Sequence, residues 1–175
     1  MKRSLRAIRL PLGLALAAGL VACVVSADFS MDKDFVADAA TTALSTVTPV
    51  DLSQYKEIQD HKGNVEYLHF NSADLSITTI AAANHATKVT GKISLRAAGA
   101  PADGSADVLV GQLTNFAIAS GSKLHLPGSA ALDAFLLSQL KGAGQFSAVV
   151  DGTTDGEAHF TIHAKINSSI GYGVF

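Results

Sequence analysis

Residues 157–167 read EAHFTIHAKIN, and their alternation decides the fold class. Phe160, Ile162, Ala164 and Ile166 share one parity, while His159, Thr161, His163 and Lys165 share the other. Successive side chains leave a pleated backbone on opposite sides, so a period of two marks an extended strand with one buried and one wet face. One-sided burial belongs to antiparallel sheets. Just upstream, residues 145–152 (QFSAVVDG) form a second run, and the turn formers Gly152, Thr153, Thr154, Asp155 and Gly156 separate the two. The pair is expected to form a hairpin.

Further from this pair the same pattern recurs. Residues 43–52, 65–70 (VEYLHF), 74–80, 87–96 and 106–116 are short runs rich in β-branched and aromatic residues. The loop 99–104 (GAPADG) predicts a hairpin connection, and Gly91, Gly99 and Gly104 are spaced as turn or bulge residues. Residues 28–38 (DFSMDKDFVAD) set Phe29, Met31 and Phe35 on a two-residue period among four aspartates, and read as either a polar tether or an edge strand. One segment has another period. Leu132, Phe135, Leu136 and Leu140 recur at helical spacing, with Ser129 as N-cap, Asp133 in the first turn, and Lys141 and Gly142 as cation and left-handed cap at the end. The prediction is a mainly β protein: an antiparallel β-sandwich of about seven or eight strands with one short helix at 129–141.

Composition agrees with a single folded domain. The chain has 175 residues, 48% of them hydrophobic and 16% charged, too apolar for disorder and too short for several domains. Lys2, Arg3, Arg6 and Arg9 precede an uncharged run at 10–22 (LPLGLALAAGLVA), too short to cross a bilayer comfortably. Residues 1–22 therefore read as a signal peptide. Its removal takes all four of those cations, leaving nine Lys and Arg against 15 acids, a net charge of −6. Nucleic acid is excluded as a partner on that balance.

The run ends in Leu20, Val21, Ala22 and Cys23, which resembles the lipobox of bacterial lipoproteins. That resemblance implies cleavage before Cys23 and acylation of its thiol by diacylglycerol, with palmitate-type chains holding the protein in a membrane. The domain division that follows is 1–22 signal peptide, 23–40 lipid-anchored tether or edge strand, and 41–175 sandwich. Cys23 is the sole cysteine, so the exported chain has no internal disulfide to make. Val24, and not an aspartate, follows it, which in the resembled bacteria points to the outer membrane. A rival cleavage motif lies at Val25, Ser26 and Ala27, and would release a soluble periplasmic protein starting at Asp28. The strands opening at Val50, Asp51, Leu52 and Ser53, together with the helix and final strands at 132–166, resemble uncharacterised β-sandwich lipoproteins and, distantly, late-embryogenesis-abundant type 2 sandwiches. The resemblance implies fold and location, and no activity.

Candidate chemistry is sparse. His159 and His163 lie four residues apart on one strand, ~13 Å at strand rise, too far to share an ion. His61, His69, His85 and His125 show no short ligand spacing. Asp151, Asp155 and Glu157 lack the spacing of a calcium loop, and no serine stands in a nucleophile motif. Neither a cofactor nor a metal is expected. A transmembrane barrel would want aromatic girdles, yet the chain has no Trp and three Tyr. The expectation is a non-catalytic, lipid-anchored envelope protein that works by binding or display, through its acyl chains and a protein, polysaccharide or lipid partner. His159, Thr161, His163 and Lys165 form the candidate interaction face. The alternatives are a carrier with an apolar groove inside the sandwich and, less favoured, a hydrolase with a site assembled in space.

Overall fold

A computed structural model describes residues 23–55, 58, 60 and 62–174. The signal segment, with Leu20, Val21 and Ala22, lies outside the described residues, as does His61. Eight strands form: β1 (Cys23–Ala39), β2 (Ala43–Asp51), β3 (Val65–Ile80), β4 (Lys88–Ala97), β5 (Val108–Ala117), β6 (Lys123–Pro127), β7 (Gln145–Thr154) and β8 (Ala158–Val174). The helix α1 (Ala130–Lys141) joins β6 to β7. Two four-stranded antiparallel sheets result, ordered β1-β8-β3-β6 and β2-β7-β4-β5. The pairs β4/β5, β3/β6, β2/β7 and β1/β8 are nested one inside the next, as in a long antiparallel ribbon rolled on itself. This is a β-sandwich of jelly-roll topology.

That nesting corrects one expectation. The runs 145–152 and 157–167 do not form a hairpin. They lie in opposite sheets, β7 between β2 and β4, and β8 between β1 and β3. Each is already paired on both sides, so their apolar parities, Phe146, Ala148 and Val150 on β7 and Phe160, Ile162 and Ala164 on β8, enter one core from the two sheets instead. The predicted β4–β5 hairpin does form, with Gly99 and Gly104 at φ of +79° and +76° in its loop.

A second difference has a local cause. Residues 65–70 and 74–80, which read as two strands, are one, with register shifts between Phe70 and Ser72 and at two other places. Inward parity changes at the shift, from Leu68 and Phe70 to Ala73, Leu75 and Ile77, because a bulge inserts one residue. The segment 28–38 belongs to β1, which pairs with β8 along its whole length.

The helix is built as its sequence asks, save at its end. The Ser129 hydroxyl accepts from the Leu132 amide at 3.3 Å. Leu132, Leu136 and Leu140 are buried, and Phe135 meets Phe146 edge to face at 5.7 Å. Fully burying each leucine stabilises by ~1.5–3 kcal/mol. Gly142, however, sits at φ −92°, and the left-handed residue is Gly144 at φ +76°, whose amide donates to the Gln139 carbonyl at 2.8 Å. Between the sheets lies an apolar void of about 50 Å³, among side chains including Phe35, Phe70, Phe146 and Ile166. No helix among the described residues is long and apolar enough to cross a membrane.

Candidate interaction face

The outer face of β1-β8-β3-β6 gathers the polar parities of its four strands. On β8, Phe160, Ile162 and Ala164 point into the core, which turns His159, Thr161, His163 and Lys165 outward. All four predicted residues therefore lie on one face. The register sets Asp38, Val36, Asp34 and Asp32 of β1 directly opposite them. These aspartates share the even parity of β1, opposite to buried Met31 and Phe35.

Each histidine is held by two carboxylates. His159 Nδ1 lies 2.7 Å from Asp38 Oδ1, and its Nε2 lies 3.1 Å from Glu157 Oε1. His163 Nδ1 lies 2.8 Å from Asp34 Oδ1, and its Nε2 lies 3.2 Å from Asp32 Oδ1. A neutral imidazole donates from one nitrogen only, so satisfying both carboxylates requires the imidazolium. The titration behaviour follows. Bonding to Glu157, then to Asp38, raises the pKa of His159 against the opposing cost of burial. For His163 the bond to Asp34 leads, desolvation again opposes, and the charges of Asp34 and Asp32 add to the rise.

The lattice continues across the sheet. Asp74 of β3 accepts from Asn167 Nδ2 at 3.2 Å and lies 2.7 Å from His125 Nδ1 of β6. The His125 bond chiefly lowers the Asp74 pKa, with burial opposing and Asn167 and Lys165 assisting. Lys165 stands by register between Asp32 and Asp74. Thr161 lies between Val36 and Thr79 and accepts at its carbonyl from the Thr78 hydroxyl at 3.5 Å.

Other candidate groups serve the fold. Asp133 does more than favour the first turn of α1. Its carboxylate accepts from the Phe70 amide at 2.8 Å and lies 2.8 Å from His69 Nδ1, docking the helix on β3. The acids Asp151, Asp155 and Glu157 diverge to different partners: Ser45, Thr87 with Lys88, and His159. Bonds from the Thr87 hydroxyl, and then from the Thr87 and Lys88 amides, lower Asp155 to about 2. Lys33 takes an inward parity on the edge strand β1 and lines a cleft of about 440 Å³ with Pro49, Asp51 and Gln145. An inward charge of this kind discourages a further strand from adding to the edge.

Sequence reasoning found the β8 row and missed its partners. Asp32, Asp34, Asp38, Asp74 and His125 were visible as residues, but only the register brings them to His159, His163 and Lys165. The even-numbered aspartates of β1 were the available signal.

No family model matches the chain, and no curated protein matches it. Among solved structures it is similar to Desmodium yellow mottle tymovirus, at 9% identity over 100% of this chain and 95% of that one, with a TM-score of 0.39. It is also similar to the decameric BFDV capsid protein, at 6% identity over 86% and 99% of the two chains, with a TM-score of 0.42. A Macrobrachium rosenbergii nodavirus particle shares 10% identity over 100% and 95%, with a TM-score of 0.41. Likeness at this level carries no argument about function.

Proposed function

We propose that the protein is a lipid-anchored, non-catalytic binding module of the bacterial cell envelope, held at the outer membrane through Cys23 and working by contact through the outer face of β1-β8-β3-β6. The observation that carries this reading is the placement of the polar chemistry. His159, Thr161, His163 and Lys165 stand on an open, hydrogen-bonded sheet surface beside the β1 aspartates. Groups fixed in this way meet a partner with little further ordering to do, which favours recognition. The partner is a protein, a polysaccharide or a lipid of the envelope.

Two further observations support the reading. Pairing of β1 with β8 includes Cys23, opposite Val174, so cleavage before Cys23 keeps every pair among the described residues, whereas cleavage after Ala27 would strip β8 of its β1 partners from Ile170 to Val174. The apolar void of about 50 Å³ is small beside the ~300–1,000 Å³ of ligand pockets, and the cleft of about 440 Å³ is lined by Lys33, Asp51, Gln54 and Gln145 and is no apolar groove, which favours surface contact over carriage of an apolar ligand.

The test replaces His159, Thr161, His163 and Lys165 together by alanine and measures partner capture from envelope extracts by the purified domain. Loss of capture is expected, with an unchanged melting temperature above the raised pKa values of His159 and His163. Capture equal to that of the parent contradicts the reading. Native mass spectrometry without detergent checks the carrier alternative, for which a stoichiometric added mass would speak.

A further inference from the structure

The strand that would follow the lipid anchor has no slack. Cys23, Val24 and Val25 pair directly with Val174, Gly173 and Tyr172, so β1 is ordered sheet from Cys23 onward. A chain reaches at most ~3.3–3.6 Å per residue, and here no residue separates the acylated position from the ladder. On the anchoring reading above, on which this inference rests, the end of the sheet is brought to the headgroups.

What stands at that end suits the place. Val24 and Val25 are 49% and 42% exposed. Residues 23–27 and 170–174 contain no charged side chain. At ~3.3 Å per residue, the first charge on β1, Asp28, lies ~16 Å from Cys23, and the last on β8, Lys165, lies ~30 Å from Val174. Tyr172 pairs with Val25 on one side and Val65 on the other, and the Tyr67 ring stands over Gly171. Tyrosine favours the boundary between hydrocarbon and water. The adjoining segment 60–66 brings Asp60, Lys62 and Glu66 beside the start of β3. The ionic groups Asp32, Asp34, Asp38, His159, His163 and Lys165 lie toward the opposite end of the same sheet.

We infer that this end of β1-β8-β3-β6 is a membrane-contact surface, with Val24, Val25 and Tyr172 resting in the interfacial layer of the bilayer that holds the Cys23 acyl chains. The partner is a lipid surface. The uncharged termini of β1 and β8 meet headgroups without stripping water from an ion, whereas the aspartate-rich end would be repelled by anionic lipid. The strands then rise from the bilayer, and the candidate interaction face is displayed ~30–50 Å above it.

The chain contains no Trp, so one introduced residue is a clean reporter. Val25→Trp and Val36→Trp, the second at a site 60% exposed further along β1, are made in the full chain. Each is isolated from its own membranes, its acylation read by intact mass, and placed in phosphatidylcholine vesicles with and without brominated chains. Val25→Trp emission is expected to be strongly quenched by brominated lipid and Val36→Trp emission to be unchanged. A flexible Gly/Ser linker of about ten residues inserted after Cys23 should restore the first signal. An acylated, vesicle-bound chain with no quenching in Val25→Trp overturns the contact and leaves the anchor standing. A chain that begins at Asp28 without lipid overturns both. Should Val25→Trp not fold, native tyrosine emission of the unsubstituted chain is read in the same vesicles, where loss supports the contact and constancy overturns it.

Discussion

The two sheets share one core and present opposite outer surfaces. On β2-β7-β4-β5, the loop after β4 brings Asp107 back over the sheet, where its carboxylate accepts from Arg96 Nε and Nη2, both at 2.7 Å, and lies 3.4 Å from the Ser94 hydroxyl. The Asp107 side chain is 2% exposed and that of Arg96 13%. Ser94, outward by parity, is buried beneath this cover, and its cross-strand neighbour Val149 is buried on the same face. On β1-β8-β3-β6, the carboxylates that hold His159 and His163 are largely exposed, Asp32, Asp34 and Asp38 at 62%, 66% and 74%. The same kind of pair thus does different work. Buried and bidentate, it fastens a loop. Exposed and screened by water, it adds little to stability and leaves the groups available at the surface.

Substitutions sharpen that contrast. The scale is set by the shared core: Leu140→Ala, at a fully buried helix position, should cost about 2–5 kcal/mol in a urea titration. Arg96→Ala should come next, because it leaves Asp107 without its cation under the loop, and Arg96→Lys should recover only part of the loss for want of the two-pronged guanidinium. If Arg96→Ala moves the urea midpoint no more than His163→Ala does, the distinction between covered and open faces disappears.

Acid and base dependence should separate the exposed turn between β7 and β8, where Asp155 stands, from the ionic face. Asp155 has its folded pKa lowered to about 2 from a usual value near 3.9, so its contribution is present above the usual value and fades as pH falls toward about 2. Asp155→Asn should flatten the stability profile there. His159 and His163 have raised folded values, so their contribution is complete below about pH 6.5 and fades as pH climbs through those values. Thermal melts of His163→Gln between these limits should lose that slope, by an amount smaller than for Asp155→Asn. Above the raised His159 and His163 values that contribution is gone, so there the fourfold alanine variant of the β8 row should show the smallest stability change of all, its melting temperature matching the parent while partner capture falls.

How much of this could be read in advance differs by element. Periodicity exposes what one strand does alone, so the two parities of β8 and the leucine stripe of α1 were legible, as was Ser129 at its cap. Pairing over long distance was not. Neighbouring β7 and β8 looked like a hairpin because turn residues join them, yet a rolled ribbon matches β8 with β1, more than a hundred residues away. A bulge at Phe70 and Ser72 made one strand read as two by reversing its parity. The site suffered in the same way: His163 alone looks like a solvent histidine, and becomes one member of a lattice only when Asp32 and Asp34 arrive from β1.

The proposed role requires a domain fastened to a bilayer through Cys23 and presenting one ionic surface. The most direct measurement is an intact mass of the protein taken from the membranes of its own cells. The account predicts a chain whose terminal residue is Cys23 carrying diacylglycerol. A soluble chain with Asp28 at its terminus and no added lipid mass would contradict it.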